Sequence, residues 1–184
     1  MAAYQYVHCL FCTEGKEQAV ADAIWASGHG WALFPQRLKA VLSGGAWSLV
    51  PFPLLPGYVF VYSNEEKAAY YGFSGVRYIL RTLTYADTRQ DVLIGRDREF
   101  ADWLWEWNGC VGALKVLKIG DRVEIADDAF RKLGGRITRI DRRRKAVCIT
   151  FEPMSLFREI WLAYEWIEGE DKDRDGECAL LRAQ

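Results

Sequence analysis

Between Arg131 and Lys145 the chain places eight basic side chains, Arg131, Lys132, Arg136, Arg139, Arg142, Arg143, Arg144 and Lys145, against one acid, Asp141. A guanidinium forks onto phosphate oxygens or a guanine edge, so a basic cluster of this kind suits a folded RNA, whereas a merely solubilising turn more often mixes signs. The four consecutive cations from Arg142 to Lys145 fall between two alternating stretches, Arg136 to Ile140 and Ala146 to Phe151. They are therefore expected in water at a hairpin tip. The competing reading is a solvated charge run that touches nucleic acid without specificity.

A second group offers contact rather than charge. Pro51, Pro53 and Pro56 keep the chain extended, and Gly57 turns it into Tyr58-Val59-Phe60-Val61-Tyr62. Side chains alternate along a strand, so Tyr58, Phe60 and Tyr62 share one face and Val59 and Val61 the other. A strand apolar on both faces belongs at the centre of a sheet. Its aromatic face needs a cover, either more of this chain or a partner.

The remaining reactive residues support no reaction. Cys9 and Cys12 follow His8 at a spacing that invites a metal or redox reading, but on a strand these two thiols point to opposite faces, and no second Cys/His pair follows. There is no Gly-rich phosphate loop ending in Lys-Ser/Thr, no nucleophile elbow and no acid/base pair. No catalytic residue, cofactor or metal is assigned. The odd count of five cysteines, without a framework spacing, reads as reduced thiols in a cytoplasmic protein, and no apolar run is long enough for a membrane span.

These groups need elements to hold them. Tyr4 to Cys12 is strand-like; Thr13 is placed to cap a helix starting at Glu14 and closed by Gly28. Trp31 to Phe34 and Arg37 to Leu42 read as extended, with Ser43-Gly44-Gly45 as a hairpin tip. Ser63-x-x-Glu66 opens a short helix ending at Gly72, and Val76 to Leu80 reads as a strand. Phe100, Trp103, Leu104 and Trp107 recur at helical spacing, with Asp97 as cap and Asn108-Gly109 as stop. Strands interleaved with helices make this part α+β. From Lys118 short alternating stretches follow one another, at 122–125, 135–138, 146–151, 160–162 and 166–167, as in a small β-barrel. Phe157, Ile160, Trp161, Tyr164 and Ile167 also satisfy a helical period, so that segment is ambiguous by pattern alone. At 184 residues the chain has room for two small domains, and its net charge of −1 gives no global sign of nucleic-acid binding. The uneven distribution of charge does.

Two stretches, in this order, carry a family resemblance. Pro53-Leu54-Leu55-Pro56-Gly57-Tyr58-Val59-Phe60-Val61 resembles the central strand of the NusG N-terminal (NGN) domain. Lys118-Ile119-Gly120-Asp121-Arg122-Val123, followed by Phe130-Arg131-Lys132-Leu133-Gly134-Gly135-Arg136-Ile137 and Ile140-Asp141, resembles a KOW motif with Gly135 at its glycine. With Leu10-Phe11-Cys12-x-x-Gly15 near the start, the likeness extends to residue 167. The run from Ile140 to Lys145 is most similar to the LoaP subfamily. Asp128-Ala129 stand where the family often has Gly-Pro, and Tyr6 or Val7 stands near the usual first-strand Trp.

The resemblance implies an NGN-type antiparallel sheet with helices over residues 1–108, a linker over 109–117, a KOW (SH3-like) β-barrel over 118–168 and a disordered acidic tail over 169–184. It implies a monomeric, non-enzymatic elongation and antitermination factor for long operons. Phe11, Leu55, Tyr58 and Phe60 would meet the clamp helices of RNA polymerase, and the cations of the barrel would meet an RNA hairpin in the nascent leader. A ribosomal protein or Rho are further partners of such barrels. The alternative is a KOW-containing RNA-binding protein of the translation machinery.

Overall fold

The computed structural model describes residues 4–66, 73, 75–119, 122–127, 130–131, 134–151 and 159–167. The short helix expected after Ser63 lies almost wholly outside them, as does the acidic tail. In chain order the elements are β1 (Tyr6–Cys12), α1 (Glu17–Ser27), β2 (Trp31–Leu33), β3 (Gln36–Ser43), β4 (Ala46–Pro53), β5 (Tyr58–Ser63) and β6 (Ile79–Thr82). There follow α2 (Gly95–Glu106), β7 (Cys110–Val111), β8 (Leu114–Ile119), β9 (Arg122–Ile125), β10 (Gly135–Asp141), β11 (Ala146–Phe151) and β12 (Glu159–Trp166). The class is α+β, as expected.

Alternation along β5 organises the first half. The sheet runs β2-β5-β1-β6, all neighbours antiparallel, so β5 and β1 are its two inner strands. Val59 and Val61, with Leu10 and Cys12 of β1, pack against Val20 and Ile24 of α1. Phe60 and Tyr62, with Val7 and Cys9, pack on the other side against Phe100, Ala101 and Leu104 of α2. The Tyr62 hydroxyl donates to the Ala101 carbonyl at 2.6 Å, and the Phe60 and Phe100 rings lie 5.8 Å apart. Here α2 is the cover that the aromatic face requires, and Phe60 lies fully buried beneath it. Each side chain of this size buried away from water stabilises the fold by about 2–3 kcal/mol.

Helix boundaries follow local chemistry, with two shifts from expectation. Gly28, at φ 74°, closes α1 by donating to the Trp25 carbonyl. Thr13 does not cap the helix: its N–H donates to Tyr78, Gly15 turns at φ 76°, and α1 begins only at Glu17. Asp97 likewise sits inside α2 rather than at its cap; it is buried and accepts from the Tyr85 hydroxyl at 2.9 Å. Asn108 and Gly109, both at positive φ, end the helical path just past α2.

The antiparallel pair β3–β4 projects as an arm, anchored by a short parallel pairing of β3 with β7. Pro51 and Pro53 fall on β4, the edge strand of that sheet, where a missing N–H is tolerated. Register places Leu38, Leu42, Leu49 and Pro51 on one face of the arm, with Leu42 and Leu49 exposed.

The second half is a five-stranded sheet in the order β10-β11-β12-β8-β9, curled so that β9 and β10 approach without pairing along their length. Val116, Ile125, Phe130, Val147, Ile149, Ile160 and Leu162 are among its buried side chains. Residues 159–166, ambiguous by pattern, are a strand antiparallel to β11. A bulge between Ile137 and Arg139 turns the alternation over, so Ile137 and Ile140 both pack inward while Arg136 and Arg139 stay exposed.

The stretch 109–117, expected as a linker, holds β7 and most of β8 instead. Val111, Leu114 and Val116 are buried, and that apolar content is incompatible with a free connector. The two halves share one continuous core: the Trp103 and Phe130 rings meet edge to face at 4.5 Å, and the Arg37 guanidinium donates to the Trp161 carbonyl. No helix among the described residues is long and apolar enough to cross a membrane.

Candidate functional site

The aromatic face of β5 is longer than the helix that covers it. Tyr62 and Phe60 are buried under α2, whereas Tyr58 and its cross-strand neighbour Phe11, on the same face, are only half-buried. Their rings meet edge to face at 5.3 Å, and the Arg81 guanidinium lies 5.6 Å from the Phe11 ring centre. Leu55, half-buried, accepts the Tyr58 N–H through its carbonyl at 3.2 Å. Thus Phe11, Leu55 and Tyr58 are brought together at one end of the sheet, and Phe60 is not among them. Phe60 is a core residue, two positions along the same face, whose ring packs under α2 against Phe100. The sequence offered no sign of Arg81, because β6 had to be registered against Phe11 first.

Gly57 holds this end in shape. Its φ of 81° is a left-handed conformation, and a Cβ there would meet Phe11 Cε2 at 2.9 Å and the Cys12 carbonyl at 3.0 Å. Its carbonyl accepts from the Cys12 N–H at 2.7 Å, and its own N–H donates to the buried Glu17 carboxylate at 2.7 Å. Glu17 was legible only as a helix residue; its use as an acceptor for a turn forty residues away depends on the tertiary fold.

The eight cations separate into groups. Arg142, Arg143, Arg144 and Lys145 occupy the tight turn between β10 and β11, all exposed, as the alternation predicted. Asp141 shapes the tip, accepting the Arg144 N–H at 2.8 Å and facing the Arg144 side chain at 3.6 Å. Beside the turn lies Tyr164, whose N–H donates to the Lys145 carbonyl and whose ring meets Trp166 edge to face at 5.4 Å. Burial pushes the Tyr164 hydroxyl pKa up, and the nearby Arg142 charge opposes that shift. The edge therefore sets a half-buried tyrosine and a partly exposed tryptophan beside the cationic turn. Sequence pattern gave no signal for their position, since β12 had to pair with β11 to bring them there.

Arg136 stands six residues before the tip, roughly 20 Å away along the strand. With Arg131 and with Arg96 of α2 it lines a separate cleft. Arg139 is engaged elsewhere: it forms an ion pair with Glu159 and its guanidinium lies 5.3 Å from the Trp161 ring centre. Lys132 lies outside the described residues.

Cys9, Cys12 and His8 are held inert. Cys9 and Cys12 are buried on opposite faces of the sheet. Burial drives the Cys9 pKa well up and, together with Glu17, pushes that of Cys12 to about 11. Both stay protonated near neutrality and are poor nucleophiles or ligands. His8 is buried with its Nδ1 3.8 Å from Asp91, and burial lowers its pKa below the ordinary 6.5, so it is neutral. Among the described residues no group of three or more His, Cys, Asp or Glu is placed to hold a metal ion.

No family model matches this sequence, and none of the curated proteins does. A solved structure does match: that described as "Domain interaction in Thermotoga maritima NusG", at 20% identity and a TM-score of 0.50, covering 86% of this chain and 93% of that one. The α+β half and the curled five-stranded half, in this order, have the fold of NusG.

Proposed function

We propose that this chain is a NusG-like transcription elongation factor that docks on RNA polymerase and promotes processive antitermination of long operons, as in the LoaP subfamily. The observation that carries the proposal is the uncovered end of the aromatic sheet face, Phe11, Leu55 and Tyr58 beside Arg81, on a NusG fold. Two half-buried aromatics and an arginine are the composition of an interface hot spot, and the clamp helices of polymerase are the partner that the resemblance supplies. Phe60 is buried under α2 and takes no direct part in this surface.

The barrel contributes the second contact. Arg142, Arg143, Arg144 and Lys145, flanked by Tyr164 and Trp166, engage a hairpin in the nascent leader RNA; phosphates meet the guanidinium groups and splayed bases meet the rings. Residues 1–108 then act as the polymerase-binding unit and the strands from β8 onward as the RNA-binding unit. The factor makes and breaks no bond itself.

Co-purification of the tagged full chain tests this. Polymerase subunits should be recovered, and Tyr58→Ala should remove them. Recovery of ribosomal proteins in their place would support the translation-machinery reading; recovery of neither would leave the docking surface without its partner and refute the proposal.

A further inference from the structure

The edge of the first sheet opposite β6 carries an aromatic corner that the surfaces described above do not use. Trp25, on the outer side of α1, is 62% exposed, and Trp31, at the start of the edge strand β2, is 36% exposed. Their rings stand nearly at right angles, 68° apart with centres at 5.7 Å. Leaving a tryptophan this exposed forgoes the large burial that the same residue gives in a core, so two of them in contact on one surface point to a partner.

The chemistry of the hollow in front of them selects that partner. Gln18, Asp22 and Trp25 fall at i, i+4 and i+7 and so share one face of α1, while Gln36, Asn108 and Trp31 line the other side. Among the described residues lining it, Asp22 is the sole charged one. Gln18 donates to Asp22 Oδ1 at 2.7 Å, which orients the carboxylate and leaves Oδ2 as a further acceptor. The volume of about 330 Å³ is at the small end of ligand sites, room for one inserted side chain rather than a cofactor. Aromatic faces attract a cation through their quadrupole, a carboxylate adds direct attraction, and Gln and Asn amides accept N–H donors. An anion or a phosphate backbone would be repelled by Asp22.

We infer that this corner is a seat for an arginine side chain presented by a partner polypeptide, a docking point separate from the Phe11–Tyr58 surface and from the basic turn. The guanidinium lies against the tryptophans with its fork toward Asp22, and the edge position of β2 leaves room for the partner's backbone alongside.

The test uses the ¹⁵N-labelled full chain and two capped tripeptides, Gly-Arg-Gly and its citrulline counterpart, which has the same shape without the charge. The indole signals of Trp25 and Trp31 are assigned with Trp25→Phe and Trp31→Phe. The arginine peptide should shift both indole signals saturably and bind about fivefold or more tighter than the citrulline peptide, a preference expected of cation–π and carboxylate contacts. Asp22→Asn, an exposed change that leaves the helix intact, should remove most of that preference. Equal binding of the two peptides would make the hollow an uncharged groove and overturn the inference, as would indole signals that do not move in millimolar arginine peptide. An arginine preference that survives Asp22→Asn would overturn the role of the carboxylate.

Discussion

Replacing Phe60 and Tyr58 one at a time separates the core under α2 from the proposed docking surface. Both residues lie on the same face of β5, but Phe60 is fully buried under α2 against Phe100 whereas Tyr58 is half-buried against Phe11. Removing a buried phenylalanine ring costs about 3–5 kcal/mol, lost burial plus the cavity left behind. In a chain of this size each kcal/mol lowers Tm by about 2–4 °C, so Phe60→Ala should lower it by roughly 6–20 °C. Tyr58→Ala loses one edge-to-face pair and part of a ring's burial, about 1–2 kcal/mol, and should lower Tm by only a few degrees. Binding should show the reverse order. Tyr58→Ala should weaken polymerase binding by about 2 kcal/mol or more, roughly thirtyfold, while Phe60→Ala measured well below its own Tm should bind with a smaller loss. Differential scanning calorimetry and a binding titration on the same preparations give both numbers. Equal melting losses for the two variants, or a Phe60→Ala protein that melts like wild type, would refute the burial argument. Full binding by a folded Tyr58→Ala protein would refute the interface.

Further outcomes follow from single features. Because the folded protein holds His8 neutral with a lowered pKa, the unfolded chain takes up a proton that the native state does not; stability is fully present above about pH 6.5 and falls as pH drops below it, by at most about 1.4 kcal/mol per pH unit. Urea melts of wild type and His8→Phe at pH 5 and pH 8 should show that part of the slope disappearing in the variant. Gly57→Ala puts a Cβ at φ 81° and within 3.0 Å of both Phe11 and the Cys12 carbonyl. It should cost at least 1–2 kcal/mol, by urea melt, and lower polymerase affinity by displacing Phe11. Replacing Arg142, Arg143 and Arg144 together with Ala should leave Tm nearly unchanged and flatten the plot of log K against log salt for a leader hairpin by roughly two units. An unchanged slope would remove the turn from the RNA contact.

Features set by local chemistry were readable from sequence: the two-faced strand after Gly57, the stops at Gly28 and Asn108-Gly109, and the exposed tip from Arg142 to Lys145. Each rests on a period or a backbone preference contained within a few residues. What was not readable depended on distant partners. Phe60 and Tyr58 are equivalent by alternation, and only the position of α2, some forty residues on, buries one and leaves the other at the surface. Thr13 and Asp97 have capping chemistry, but a turn through Gly15, closed by the Lys16 N–H on the Thr13 carbonyl, delays α1 to Glu17, and Tyr85 donates its hydroxyl to Asp97. The stretch 109–117 lacks a period because its residues divide between two sheets, β7 on the arm and β8 in the barrel. The eight cations lie close together in sequence, yet an extended strand of seven residues, β10, carries Arg136 far from the tip, and Arg139 is bound to Glu159.

Single-round transcription with purified polymerase, on a template carrying a leader hairpin followed by terminators, tests the central claim most directly. Added chain should raise read-through at successive terminators, Tyr58→Ala should abolish the effect on every template, and the Arg142/Arg143/Arg144 triple alanine variant should abolish it only where it depends on the hairpin. Read-through unchanged by the wild-type chain, with polymerase present and the hairpin intact, would contradict the account.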